Sequence, residues 1–124
     1  MFNHAVITDN LRQEVMNAYA DCHMDWEKAQ HIRNLNFKAS TTCSAAEARD
    51  ILKDAMPCGY NSFYAEALEH FDPDTRMFIA REFSPCIYVE WCDRPIPSRL
   101  DLLADECEFV TDPTLGPCIR FWWD

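Results

Sequence analysis

Between Thr8 and Asn34 the hydrophobic positions recur at helical spacing: Leu11, Val15, Ala18, Cys22, Trp26 and Ala29 form one stripe, widened by Met16, Tyr19 and Ile32. Gln13, Asn17, Asp21, Lys28 and Gln30 fall on the opposite side. The spacing predicts one long amphipathic helix, with Asp9 or Asn10 as its N-cap. Ser44-Ala45-Ala46-Glu47 has the form of a capping box, in which the Ser hydroxyl and the Glu carboxylate each take up an orphan amide. A second helix should follow, with Ala48, Ile51, Leu52 and Ala55 inward, ended by Pro57, which has no N–H to continue it. Asn61 or Ser62 caps a third helix with Tyr64, Ala67, Leu68 and Phe71 inward, and Asp72-Pro73 reads as a further cap followed by a first-turn proline.

The stretch from Asp74 to Phe83 fits two templates. Met77, Ala80 and Phe83 share a helical face, whereas Met77-Phe78-Ile79 could open a strand; we read it as helix. Beyond Ser84-Pro85 the period shortens to two, because Ile87, Val89 and Trp91 alternate with Tyr88 and Glu90. Pro95 and Pro97 mark an extended connector, and Ser98 caps a short helix through Ala104. Residues 107–112 and 118–123 then form two strands joined by the Pro113-Thr114-Leu115-Gly116 loop. The expected architecture is one α+β domain over residues 1–124, with three to four N-terminal helices on a small C-terminal antiparallel sheet of about three strands.

Composition narrows the function classes. With 21 acids against 11 bases the net charge is −10, and the only lysines are Lys28, Lys38 and Lys53. Such a surface repels phosphate backbones, so direct nucleic-acid binding is rejected. No apolar run approaches the length of a membrane span. The first ten residues lack the basic and apolar regions of a secretory signal, so the mature chain is expected to begin at or near Met1. Seven cysteines, an odd number with no Cys-x-x-Cys, point to free thiols in a reducing cytoplasm.

Three constellations could carry chemistry. Cys43 precedes the capped helix with Arg49 six positions on, the cysteine–arginine spacing of cysteine phosphatases. The intervening residues include Glu47 and no glycine, so a phosphate cradle of converging amides is not expected and Cys43 reads as a half-buried thiol. His23, Glu27 and His31 recur every four residues and could share a metal, but no fourth ligand is fixed, and a solvated helix face is the expected reading. No cofactor is expected.

The third constellation is acidic. Residues 85–124 hold eight acids and three bases, and no base lies between Leu100 and Ile119. Asp101, Asp105, Glu106, Glu108 and Asp112 fall there, close to Trp122 and Trp123, which point to opposite faces if they share a strand. Carboxylates around an exposed tryptophan would make a surface for a protein partner with a basic face, one where aromatics anchor and charge steers. In size and charge the chain is similar to small acidic binding proteins: immunity proteins, inhibitors from phages or mobile elements, and nucleic-acid mimics. The expected function is therefore a cytoplasmic protein-binding inhibitor. The alternative is a small enzyme or metal-binding protein with a site assembled from distant residues, such as Cys43 with Arg49 or His23 with Glu27 and His31.

Overall fold

The computed structural model describes residues 4–23, 25, 27, 36–56, 67–91 and 104–123. Helix α1 (His4–Ala18) leads into a 3-10 turn (Ala20–His23), followed by the short strands β1 (Asn36–Lys38) and β2 (Cys43–Ser44) and by helix α2 (Ala45–Ala55). A helical turn over residues 67–69 precedes β3 (Arg76–Glu82), β4 (Ser84–Glu90), β5 (Glu106–Asp112) and β6 (Gly116–Trp122). The strands form one antiparallel sheet in the order β1-β3-β4-β6-β5, and β2 pairs with β3 on the edge that β1 occupies. This corrects the expected fold class: the sheet has six strands rather than about three, and three of them precede residue 83.

The stretch read as a helix at 74–83 is the interior strand β3. Met77 to Arg81 are all buried, because α1 and α2 cover one face and the neighbouring side chains the other. A strand buried on both faces has no polar alternation, so its apolar run does not distinguish strand from helix. Asp72-Pro73 is likewise a turn and not a cap. Asp72 O accepts from Thr75 N at 3.0 Å, while the carbonyls of Thr75 and Pro73 take the amides of Ala45 (2.8 Å) and Ala46 (3.1 Å) at the start of α2.

Helix α2 follows its sequence closely. Ser44 Oγ accepts from Glu47 N and Glu47 Oε1 accepts from Ser44 N, both at 3.1 Å, and Ala48, Ile51, Leu52 and Ala55 are fully buried. The long first helix is shorter than its periodicity suggests and starts before Asp9, which lies inside it. Its buried face is Leu11, Val15 and Ala18. It ends at Ala18 because β3 captures its last turn: Arg81 Nη1 donates to Ala18 O (2.9 Å), and the buried Tyr19 hydroxyl donates to Ala80 O (2.8 Å). Tyr64 lies outside the described residues, as do Trp26, Lys28, Ala29, Ile32, Asp101 and residues 98–103 of the short helix expected through Ala104, which itself stands in a bend.

The β3–β4 hairpin turns at Phe83, whose φ of 65° costs a non-glycine residue roughly 1–2 kcal/mol; its N–H donates to Asn36 Oδ1 at 3.1 Å. The β5–β6 hairpin forms where expected. Asp112 Oδ2 accepts from Thr114 N (2.8 Å) and Leu115 N (3.0 Å), and Gly116 supplies the positive φ that closes the loop. Cys22, Cys43, Cys86, Cys107 and Cys118 are in no disulfide. Among the described residues no helix is long and apolar enough to cross a membrane.

Candidate partner-binding site

Alternation along the strands gives the sheet two unlike faces. Met77, Ile79, Ile87, Val89, Ile119 and Phe121 are buried on the face toward the helices. The other face is polar, with Phe78, Tyr88, Arg120 and Glu108 in one row across β3, β4, β6 and β5. Arg120 organises this row. Its Nε donates to Glu82 Oε2 at 2.8 Å, its Nη2 bonds the same oxygen, and its Nη1 lies 3.3 Å from both Glu106 and Glu108. The Tyr88 hydroxyl donates to the other Glu82 oxygen, and Trp122 Nε1 donates to the Glu82 carbonyl at 2.8 Å. Trp122 is thereby a half-buried cover on the polar face, while Trp123 is buried on the other side.

Lys38 on β1 forms an ion pair with Asp112 at the far end of β5. Four strand-to-strand steps separate them along the sheet, roughly 19 Å at the usual spacing, which exceeds the reach of a lysine. The sheet is therefore strongly coiled, and its polar face is concave. The ammonium crosses that hollow 4.8 Å from the Phe78 ring centroid and 4.9 Å from that of Tyr88. Asp112 is 4% exposed and serves the fold. Burial alone would push its carboxyl up, but the bonds from Lys38 and the Leu115 and Thr114 amides outweigh this and hold it below the ordinary range.

A carboxylate held low stabilises the fold above its ordinary pKa, and that contribution is lost as pH falls through the depressed value. Asp112→Asn should therefore cost roughly 1–3 kcal/mol at neutral pH. The deficit should shrink toward zero in acid, well below the ordinary value of 3.8, where the wild-type side chain is neutral too. Urea unfolding of both proteins across that pH range checks this; a deficit independent of pH would separate Asp112 from the ion pair.

Glu82, Tyr88 and Cys86 on the polar face are held in their resting forms. Glu82 is half-buried, which works to raise its pKa, yet Tyr88 and Arg120 hold it low. Burial and the bond to Glu82 push the Tyr88 phenol up, and burial pushes the Cys86 thiol up to about 12. A catalytic acid or base is instead poised near the working pH, so this network has the character of a structural lock. Cys43 is also unsuited to nucleophilic attack, since burial and then Glu47 push its thiol up to about 12. Arg49 donates to Leu68 O at 3.1 Å and does not face an anion cradle with Cys43. Of the His23, Glu27 and His31 stripe, the His23 side chain and His31 lie outside the described residues. Among the described residues no His, Cys, Asp and Glu side chains are grouped to hold a metal.

The margin of the sheet differs from this lock. Phe109 is 66% exposed at the middle of β5, and Trp91, just past β4, is 42% exposed. Their rings meet edge to face at 5.5 Å. With Val110, Thr111, Pro117 and Cys118 they line a shallow concavity of about 400 Å³. Asp105, Glu106 and Glu108 are exposed on or next to the same strand as Phe109, with Glu106 and Glu108 on its opposite face. Of the residues expected to form a contact surface, these three stand at the margin, whereas Asp112, Trp122 and Trp123 are engaged in the fold. The sequence reading missed Phe109 and Trp91. The signal was present, because a strand that puts Glu106 and Glu108 on one face puts Phe109 on the other. Comparison with protein-family models, curated proteins and solved structures found no match.

Proposed function

We propose that the chain is a cytoplasmic protein-binding module, an inhibitor by its size and charge, that meets a basic protein surface with the acidic, aromatic margin of its sheet. The observation that carries this reading is the Phe109–Trp91 pair, two large exposed rings on the margin of a sheet whose edge strand carries the exposed Glu106 and Glu108 on its other face. Exposed aromatics grouped in a concavity are the usual anchors of an interface, and surrounding charge steers the encounter. The net charge of −10 selects a basic partner over an acidic one. An odd count of seven cysteines with no Cys-x-x-Cys supports a reducing compartment.

The test separates binding from folding. Phe109→Ala should change stability by no more than about 0.5 kcal/mol, as for other exposed sites. It should weaken a partner captured from host lysate by about 2 kcal/mol, roughly thirtyfold. Glu106→Gln with Glu108→Gln should slow association at low salt and lose its effect at high salt. Neutralisation is preferred to reversal because a lysine at either position would stand against Arg120. A partner whose affinity is indifferent to Phe109→Ala would overturn the assignment.

A further inference from the structure

Phe83, Trp91 and Phe109 are the large apolar side chains exposed among the described residues, and the last two meet. They stand where the buried face of the sheet comes out into solvent. Phe109 pairs with Ile119 and Ile119 with Val89, a row that passes from exposed to fully buried in two steps. Trp91 lies two residues beyond Val89, and its N–H donates to Pro117 O at 3.1 Å, which places its ring at the end of the concavity. The six lining residues carry no formal charge, but their surroundings are acidic. Residues 90–91 and 105–118 hold five acids and no base. Adding Glu82, Lys38 and Arg120, which reach them from the concave face, gives six acids against two bases.

We infer that this concavity takes an arginine side chain of the basic partner, its methylene stem on the apolar lining and its guanidinium against the Trp91 and Phe109 rings. This rests on the reading of the margin given above and names the group that the margin recognises. Two properties decide it. The hollow is shallow, so an aliphatic side chain lodged there keeps much of its surface in water and gains little. An arginine lays its apolar stem on such a surface and leaves its charged head wet. The second property is charge: an acidic surround draws a cation, and ring faces attract one, tryptophan most strongly. The guanidinium suits this better than an ammonium, because it is planar, weakly hydrated and able to stack. The exposed Thr111, also in the lining, adds a hydroxyl that can accept from the guanidinium fork. The fold uses the same contact internally, where the Arg81 guanidinium lies 5.3 Å from the Tyr19 ring centroid.

A second copy of this chain is the poorer occupant. It brings a net charge of −10 against the same acidic surround. Its Arg12, Arg81 and Arg120 also stand in ion pairs within the fold. Charge complementarity therefore selects a basic partner.

The experiment uses the full chain and labelled peptides in which Arg, Lys or citrulline alternates with Ser, read by fluorescence anisotropy. Citrulline keeps the planar shape of arginine and drops its charge. Trp91→Leu and Phe109→Leu each keep an apolar surface and remove a ring; at these exposed positions urea unfolding should hardly change. The arginine peptide should lose roughly threefold in affinity for either variant, the size of a cation–ring contact at an exposed site. The lysine peptide should lose less and the citrulline peptide least. General attraction to the acidic chain is common to the two cationic peptides and unchanged by either variant, so the difference isolates the site. Equal losses for arginine and citrulline would overturn the inference, since the rings would then recognise a planar group and not a cation. An arginine peptide that is indifferent to both variants, or that does not bind, would overturn it too. In those cases a captured partner still weakened by Phe109→Ala leaves the margin reading standing, and one indifferent to it removes both. Concentration-dependent dimers that dissociate in Phe109→Leu would assign the concavity to a second copy instead.

Discussion

Trp123→Ala is expected to lower the free energy of unfolding by about 3–5 kcal/mol, and Trp122→Ala by roughly 1–3 kcal/mol, although the two residues are adjacent. Trp123 is 3% exposed and stacks on Phe121 with ring centroids 6.3 Å apart, and Phe121 in turn meets Phe71 edge to face at 6.0 Å. Removing the indole opens a cavity at the end of that aromatic row, and the fully buried Phe121 cannot move to fill it. Trp122 points to the concave face, where it is half buried and donates to the Glu82 carbonyl at 2.8 Å. Its loss removes one hydrogen bond and part of a cover, and water can solvate the carbonyl left behind. Urea unfolding of the two variants measures the difference. Equal costs would contradict the assignment of the two rings to opposite faces.

Legibility in the sequence followed how far each signal was local. The capping box before α2 was readable because Ser44 and Glu47 satisfy each other within four residues. The β5–β6 hairpin was readable because Pro113 to Gly116 is a loop between two alternating runs. Strand β3 was not, since burial on both faces erased the alternation that marks a strand. Strands β1 and β2 leave no mark in the sequence, because three and two residues on an edge carry no period at all. The site divides in the same way. The acidic run was visible, but its partition was not: Asp112 is committed to Lys38, which is 74 positions away, and Glu106 and Glu108 remain exposed. Coiling of the sheet decides that partition, and it depends on register between distant strands.

Arg81→Met is the second substitution expected to cost about 3–5 kcal/mol, because it removes one half of a buried ion pair and leaves the other half behind. Arg81 is buried in β3 on the face toward α1. Its Nη1 and Nη2 make parallel bonds to the two oxygens of Asp21, at 2.7 and 2.6 Å, and Nη1 also bonds the Ala18 carbonyl. Burial alone would lower the pKa of the guanidinium, but the bonds to Asp21 more than compensate, and it stays charged. Methionine fills much of the same volume and supplies none of these donors, so the helix end and the Asp21 carboxylate both lose their partner. Asp21→Asn in the Arg81→Met background should then recover part of the loss, since a buried amide is less costly than an unpaired carboxylate. Hydrogen exchange should locate the damage, with protection falling in the last turn of α1 before it falls in α2 or the β5–β6 hairpin. A double variant no more stable than Arg81→Met alone would mean that the residue acts by packing against the Tyr19 ring, 5.3 Å away, and not through Asp21.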